Sequence, residues 1–120
     1  MPKTVVFDFD GVIHSYTSGW KGETCIPDPP VPGIMEAISG IRAKGYEVVV
    51  VSTRCNTHEG RLAVYRYLAI HGIEVDGVRK EKPPAIVYID DRAICFDGHP
   101  ETLLGKIEHF VPWNKKEENQ

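Results

Sequence analysis

The chain has no long apolar run. Its 120 residues contain no stretch near the roughly 20 apolar residues that a membrane-spanning helix needs. The N-terminal sequence MPKTVVFDFDG also lacks the apolar segment of a signal peptide. These two absences predict a cytoplasmic protein that is not associated with a membrane.

Cysteine pairs and excess positive charge are also missing. The three cysteines, Cys25, Cys55 and Cys95, are odd in number and include no C-x-x-C pair. This pattern argues against a disulfide framework or a zinc site and favours reduced thiols. Lysine and arginine total 14 against 17 acidic residues, so the chain lacks the overall charge that non-specific nucleic-acid binding usually requires. The overall charge does not exclude a groove that is basic only locally.

What the chain does have is a series of apolar runs separated by turn residues. The length suits one core, and we predict a single domain over residues 1–113 with a polar, disordered tail at 114–120. Residues 11–32 carry Gly, Ser and Pro without a sustained period. This segment, called the flap below, is a long loop, and long loops in compact domains are usually functional or mobile.

Strand and helix patterns alternate along the rest of the chain. β-Branched and aromatic residues predict strands at 4–9, 46–52 and 85–89, with shorter ones near 75–78 and 93–96. Apolar spacing predicts helices at 33–45, 56–72 and 100–110, the second of them capped by Asn56. The alternation implies right-handed crossovers and a parallel sheet. The expected fold is a three-layer, Rossmann-like α/β domain with helices on both faces of the sheet.

Acidic residues follow two of the predicted strands. In FDFDG, residues 7–11, the side chains of Asp8 and Asp10 point to the same face, and Gly11 lets the chain turn. Asp90 and Asp91 end a later strand, and the carboxyl ends of parallel strands meet at one edge of the sheet. Four carboxylates there repel one another unless a cation intervenes, so we predict Mg²⁺ with a phosphorylated ligand in its open positions.

Polar groups suited to a phosphate lie near the same strand ends. Ser52 or Thr53 offers a hydroxyl donor after the second strand, and Lys82 offers a positive charge. Arg54 is a candidate for a bidentate phosphate clamp, and His14 for a contact with the substrate. For each of these residues an ordinary structural role is the alternative.

A carboxylate pair can also supply the reacting groups. One aspartate can form an aspartyl-phosphate intermediate while its neighbour acts as general acid and then as general base. Asp8 and Asp10, two residues apart, provide both roles. Gly11, directly after them, is a further candidate for substrate contact.

In these residues the sequence resembles the haloacid dehalogenase (HAD) superfamily of phosphotransferases. The first motif of that family, an apolar strand followed by D-x-D-G-[TV], matches VVFDFDGVI, and the second, a Ser or Thr ending an apolar strand, matches VVVVS. The third, a lysine, matches Lys82, with Lys80 as a rival, and the fourth, an acidic pair ending a strand, matches YIDD. All four occur in the family's order and cover residues 5–91.

The resemblance implies a role for each matching residue. Asp8 is the nucleophile and Asp10 the general acid/base, while Ser52 and Lys82 take the family's second and third motif positions. Mg²⁺ is held by the side chain of Asp8, the backbone carbonyl of Asp10 and an acid of the fourth motif, Asp91 with Asp90 close by. The second aspartate favours a phosphatase over a dehalogenase. The gaps between motifs are too short for a large cap domain, which implies a capless member of the family.

Several functions remain open at this stage. The favoured one is a Mg²⁺-dependent phosphomonoester hydrolase acting on a small phosphorylated molecule. Capless relatives either accept macromolecular phosphoesters or close their sites by oligomerising, so a polynucleotide-end phosphatase and a homo-oligomer stay open. A receiver-like signalling module is disfavoured by the order of the acidic pairs, and an inactive phospho-ligand-binding module by the complete set of motifs.

Overall fold

The computed structural model describes residues 3–115, which form four strands, three α-helices and two short 3₁₀ turns. In chain order the elements are β1 (Thr4–Asp8), α1 (Ile34–Ala43), β2 (Glu47–Val51), a 3₁₀ turn (Thr53–Asn56), α2 (His58–Ile70), β3 (Gly77–Arg79), β4 (Val87–Ile89), a second 3₁₀ turn (Pro100–Thr102) and α3 (Leu103–Glu108). None of the helices in this range has the length and apolar character needed to span a bilayer.

The described chain divides between Asp90 and Asp91 into two compact units. The first unit holds the whole sheet with α1 and α2, and the second holds α3. One domain over residues 1–113 stays a prediction. Most of the predicted tail, residues 114–120, lies outside the described residues, which end at 115.

All strands of the sheet are parallel, in the order β3–β2–β1–β4. The β-branched run of β2 is buried on both faces, as parallel sheets require. On one face, Phe7 and Val50 belong to the same apolar cluster as Ile38 of α1 and Val64 and Leu68 of α2. Both helices of the first unit therefore pack on this face.

The opposite face of the sheet carries a smaller apolar cluster. Val6, Val49 and Val51 are buried there, and Ala85, from the segment that joins β3 to β4, packs against them. An extended segment rather than a helix of the first unit thus contributes to this face. The remaining helix, α3, belongs to the second unit.

These elements confirm the predicted fold class, an α/β fold with a central parallel sheet in a Rossmann-like arrangement. Within residues 3–115, only the flap separates β1 from α1, and only a 3₁₀ turn and α2 lie between β2 and the loop before β3. No cap domain is inserted at either place in this part of the chain, as predicted.

Two local predictions are wrong. Residues 93–96 form no strand, because so short a run needs a neighbouring strand to complete its hydrogen bonds, and the structure pairs it with none. The N-cap of α2 is Thr57 rather than Asn56, since Thr57 Oγ1 accepts the Gly60 N–H at 3.1 Å. Asn56 is instead the last residue of the preceding 3₁₀ turn.

The strand order changes direction between β1 and β4, and the space beyond the carboxyl ends of these two strands is called the crevice below. The chain crosses the sheet from β1 to β2 to β3 in one direction and then returns to the far side of β1 as β4. In open α/β sheets, ligands bind at such a change of direction, beyond the carboxyl ends of the strands. Asp8 ends β1 and Asp90 follows β4, so acidic residues border this crevice.

Asp76 ties the amino end of β2 to α1, at the opposite edge of the sheet. Its carboxylate accepts hydrogen bonds from the Val48 N–H at 2.8 Å and from the Arg42 guanidinium at 3.0 and 3.2 Å. The Arg42 guanidinium, with the Val48 N–H, holds the pKa of Asp76 below its ordinary value of 3.8. A carboxyl group of this kind stabilises the fold above its ordinary pKa, and the contribution is lost as the pH falls through the lower folded value.

We therefore expect Asp76→Asn to lower the free energy of unfolding by about 0.5–1 kcal/mol at neutral pH, a small value because solvent weakens a partly exposed ion pair. The difference from the wild type should shrink as the pH falls below 3.8, which urea unfolding at a series of pH values would measure. Glu74→Gln removes the more exposed partner of Arg42 and should change stability little. A difference that does not vary with pH would contradict this account.

Candidate active site

Two carboxylates meet at the crevice between β1 and β4. Asp8 and Asp90 each offer a carboxylate oxygen, and these oxygens lie within 4.8 Å of each other. Both residues are half-buried, so the mutual repulsion of their charges is only partly screened by water. Asp91 follows Asp90 directly in the chain and is the first residue of the second unit. The close approach of Asp8 and Asp90 creates a place for a cation.

Lys82 supplies one positive charge to this acidic pair. Its Nζ donates a hydrogen bond to Asp90 Oδ2 at 3.1 Å and lies 5.7 Å from the centre of the Tyr88 ring. The Tyr88 hydroxyl in turn donates to the Pro83 carbonyl at 2.8 Å. Between the two lysines that the sequence left open, Lys80 and Lys82, this geometry favours Lys82 as the one beside the acids.

A tight turn after β1 places His14 next to Asp10. The Phe9 carbonyl accepts the N–H groups of Ile13 and His14, and the Gly11 N–H donates to the His14 carbonyl at 2.8 Å. Gly11 has a φ of 89°, a left-handed conformation that glycine adopts without steric cost. Gly11 therefore reverses the chain at the site. Its predicted contact with substrate stays a prediction.

His14, near the start of the flap, is fully buried next to Asp10. Its Nδ1 lies 2.8 Å from Asp10 Oδ1, and its Nε2 accepts the backbone N–H of Asp28 at 3.1 Å. A backbone N–H can only donate, so Nε2 carries no proton, and Nδ1 bears the proton that it donates to Asp10. The structure thus places His14 as a hydrogen-bond donor to Asp10 through Nδ1, and its contact with substrate stays a prediction.

Arg54 lies on the other side of Asp10 and is fully buried. Its Nε and Nη2 donate to the two carboxylate oxygens of Asp10 at 2.9 and 3.1 Å. Its Nη1 donates to the flap carbonyls of Gly22, Glu23 and Cys25 at 2.8, 2.9 and 3.3 Å. The guanidinium is thus engaged by protein groups, an arrangement different from the open phosphate clamp that the sequence suggested.

These contacts determine the charge of Asp10. Burial opposes the ionised form of its carboxyl group, but the hydrogen bonds from His14 and Arg54 outweigh burial and hold the pKa of Asp10 below its ordinary value. Asp10 is therefore ionised at neutral pH, the form that a general base requires. Its side chain keeps 20% exposure, so it remains accessible from the solvent side.

Ser52 follows the carboxyl end of β2. Its Oγ is buried and accepts the Arg54 N–H at 3.1 Å, and this bond begins the 3₁₀ turn. The hydroxyl hydrogen remains available as a donor. Thr53, the rival candidate, is exposed and is the first residue of the turn itself. The local geometry favours Ser52 as the hydroxyl at the strand end.

Asp28 is a residue of the flap that sequence reasoning missed. The Ser18 N–H and hydroxyl donate to its carboxylate at 2.8 and 2.5 Å, and the Tyr67 hydroxyl donates to its carbonyl at 2.9 Å. Through its N–H on His14 and its carbonyl on Tyr67, Asp28 joins the later part of the flap to the turn after β1 and to α2. The only local sequence feature that marks Asp28 is its position between prolines in IPDPP. That feature does not identify the residues to which Asp28 is hydrogen-bonded.

The ring of Trp20 covers the Arg54 guanidinium. Cζ of Arg54 lies 4.6 Å from the ring centre, and 54% of Trp20 is exposed. Guanidinium groups stack favourably on aromatic rings, which explains how a largely exposed side chain is held in place. The flap thus presents an aromatic surface next to the group that binds Asp10.

Sequence similarity does not assign the chain to a family. No family model matches it, and no curated protein matches it in sequence. Its fold, however, resembles those of solved structures. A chain in a structure of the Pnkp1/Rnl/Hen1 complex is 18% identical and aligns over 95% of this chain and 36% of its own length, with a TM-score of 0.55.

A chain from another structure, of the Pnkp1/Rnl/Hen1 RNA repair complex, is also 18% identical, aligns over 98% of this chain and 35% of its own, and has a TM-score of 0.53. This chain therefore spans about a third of the length of these two matched chains. At identities this low, the structural match shows a shared fold alone. D,D-heptose 1,7-bisphosphate phosphatase from Burkholderia thailandensis is 29% identical over 64% of this chain and 51% of its own, but at a TM-score of 0.40 the likeness carries no weight.

Proposed function

We propose that the protein is a magnesium-dependent phosphomonoester hydrolase of the haloacid dehalogenase superfamily that acts through an aspartyl-phosphate on Asp8. The observation that carries this proposal is the close approach of Asp8 and Asp90 at the crevice, within 4.8 Å, with Lys82 bonded to Asp90. Phosphoryl transfer needs mainly positioning and charge stabilisation, and these groups can supply both. The four ordered motifs support the same reaction.

Asp8 is the nucleophile in this reaction. One of its carboxylate oxygens bonds to phosphorus while the bond from phosphorus to the ester oxygen breaks, and Asp10 gives a proton to the departing oxygen. Water then attacks phosphorus, Asp10 accepts its proton, and inorganic phosphate leaves Asp8. Because Asp10 is ionised in the free protein, the first proton has to enter with the substrate, as it does on a phosphate monoanion with a second pKa of about 6.

The donor atoms at the crevice suit Mg²⁺, which prefers oxygen ligands. The carboxylates of Asp8 and Asp90 would hold the ion together with the backbone carbonyl of Asp10. Asp91 is proposed as a further ligand because it follows Asp90 directly. Bound Mg²⁺ would supply charge neutralisation for the phosphate oxygens. Ser52 contributes a hydroxyl donor for the same phosphate.

A small phosphorylated molecule is the proposed substrate, because the chain carries a formal net charge of −3 and no excess of basic residues. A nucleic-acid end is the second candidate. One of the two matched chains comes from the Pnkp1/Rnl/Hen1 RNA repair complex. The exposed ring of Trp20 beside Arg54 also offers a surface on which a base could stack.

A substrate panel tests the function and the substrate class together. We expect purified protein with Mg²⁺ to release phosphate from small phosphomonoesters with a higher kcat/KM than from oligonucleotides that end in a 3′-phosphate. Chelation should abolish turnover, and added Mg²⁺ should restore it. Folded protein that releases no phosphate from any member of the panel would reject the hydrolase. A strong preference for the oligonucleotides would reject only the small substrate.

A further inference from the structure

Two side chains hold the carboxylate of Asp10: Arg54, which is bonded to the flap, and His14, which belongs to the flap. We propose that Arg54 is a positioning residue, which orients Asp10 for proton transfer and makes that orientation depend on the flap. The proposal rests on the proposed function and deepens it, because it gives the flap a role in the chemistry of the site.

The guanidinium of Arg54 fixes both oxygens of Asp10. A planar fork that donates to each carboxylate oxygen, at 2.9 and 3.1 Å, determines the rotation of the carboxylate as well as its distance. Arg54 is fully buried, so it does not reach the solvent or a substrate directly. A buried charge is costly unless it is paired and hydrogen-bonded, and Asp10 is the anionic partner that the structure provides.

The flap holds the other edge and one face of the same guanidinium. Nη1 donates to the carbonyls of Gly22, Glu23 and Cys25, and Trp20 stacks on the face at 4.6 Å. If the flap moved away, Arg54 would lose these acceptors and would have to rearrange. Such a rearrangement would disturb its two bonds to Asp10.

His14, itself a residue of the flap, provides the second connection to Asp10. It donates to Asp10 through Nδ1 and accepts the Asp28 N–H of the flap through Nε2. Asp28 is in turn fixed by Ser18 and Tyr67. Both donors to Asp10 are thus anchored in the flap, so the position of Asp10 and that of the flap are coupled through two independent side chains.

Misplacing Asp10 has a specific chemical signature. Alkyl phosphates have a poor leaving group and need a proton as the ester bond breaks, whereas p-nitrophenyl phosphate has a good leaving group and needs this help far less. The parameter kcat/KM covers the steps up to formation of the aspartyl-phosphate, where Asp10 acts as the acid. A loss of positioning therefore lowers kcat/KM for alkyl phosphates selectively, while a general loss of folded protein lowers it equally for both.

The test compares Arg54→Lys with the wild type, because lysine keeps the charge but lacks the planar fork. We expect kcat/KM to fall roughly 10- to 100-fold for an alkyl phosphate, at or below the lower end of the ~10²- to 10⁴-fold that general acid catalysis contributes, because Asp10 is misplaced but still present. The value for p-nitrophenyl phosphate should fall less than about 3-fold. Asp10→Asn should show the same selectivity with a larger loss. Arg42→Lys, at the opposite edge of the sheet, is the matched control and should change neither value.

Two further measurements address folding and the flap. Trypsin should cleave after Lys21, an exposed residue of the flap, several-fold faster in Arg54→Lys than in Arg42→Lys. If Arg54→Lys does not fold, Asp28→Asn is the second variant, since it loosens the bonds to Ser18 without removing a side chain bonded to Asp10. It should reproduce the selective loss for alkyl phosphates.

Equal losses for both substrates, or no loss for either, would overturn the positioning role of Arg54. An unchanged rate of cleavage after Lys21 would overturn the link to the flap. A wild-type protein without turnover would be a different failure, since it rejects the proposed function itself and the positioning role with it.

Discussion

Asp8→Asn is expected to abolish phosphate release, with turnover at least about 10³-fold below that of the wild type. The amide has the shape of the carboxylate but cannot attack phosphorus, so no aspartyl-phosphate forms. The substitution should leave the fold intact, because Asp8 is the last residue of β1 and only half-buried. Release of phosphate, followed with saturating substrate and Mg²⁺, measures the loss.

The same substitution at the opposite edge of the sheet provides the matched control. Asp76→Asn removes one carboxylate far from the crevice and should keep turnover near the wild-type value, despite its modest cost in stability. Acid quenching during turnover should trap a phosphorylated wild-type chain and an unphosphorylated Asp8→Asn chain. An Asp8→Asn protein that remains active would reject Asp8 as the nucleophile.

Gly60→Ala is expected to have the largest effect on stability. Gly60 lies in the first turn of α2, and a Cβ added there would come within 2.0 Å of the Arg54 carbonyl oxygen. This neighbour is a backbone atom, so it cannot rotate away. The steric clash is removed only if the 3₁₀ turn and α2 move apart. We expect the free energy of unfolding to fall by about 1–3 kcal/mol, the usual range for overpacking. The displaced Arg54 should also lower turnover.

Gly40→Ala is the control, because the same substitution there causes no steric clash. Gly40 lies inside α1, and a Cβ added there would have no atom within 4 Å. Alanine favours the helix over glycine, so this variant should gain about 0.5–1 kcal/mol. Urea unfolding of both variants measures the difference. A Gly60→Ala protein as stable as Gly40→Ala would show that the helix and the turn can separate without cost.

Much of the framework of the site follows from local patterns in the sequence. Runs such as YEVVVVS predict buried parallel strands, and the carboxyl ends of parallel strands necessarily share one edge of the sheet. That rule is enough to place Asp8, Ser52 and Asp90 together before any contact is known. The prediction of a strand at 93–96 is wrong for a related reason, since strand propensity has an effect only where a neighbouring strand is present.

The sequence by itself therefore determined the fold class, the strand ends and the acids that they carry, because these depend on residue period and on the geometry of parallel strands. Only the tertiary structure decided what surrounds Asp10. Arg54 is 44 residues from Asp10 along the chain. The flap, which bonds Arg54 and contains His14, has no periodic pattern of apolar residues from which its contacts could be predicted. Such contacts arise when distant segments pack, so no local pattern predicts that an apparent phosphate clamp is a buried partner of Asp10.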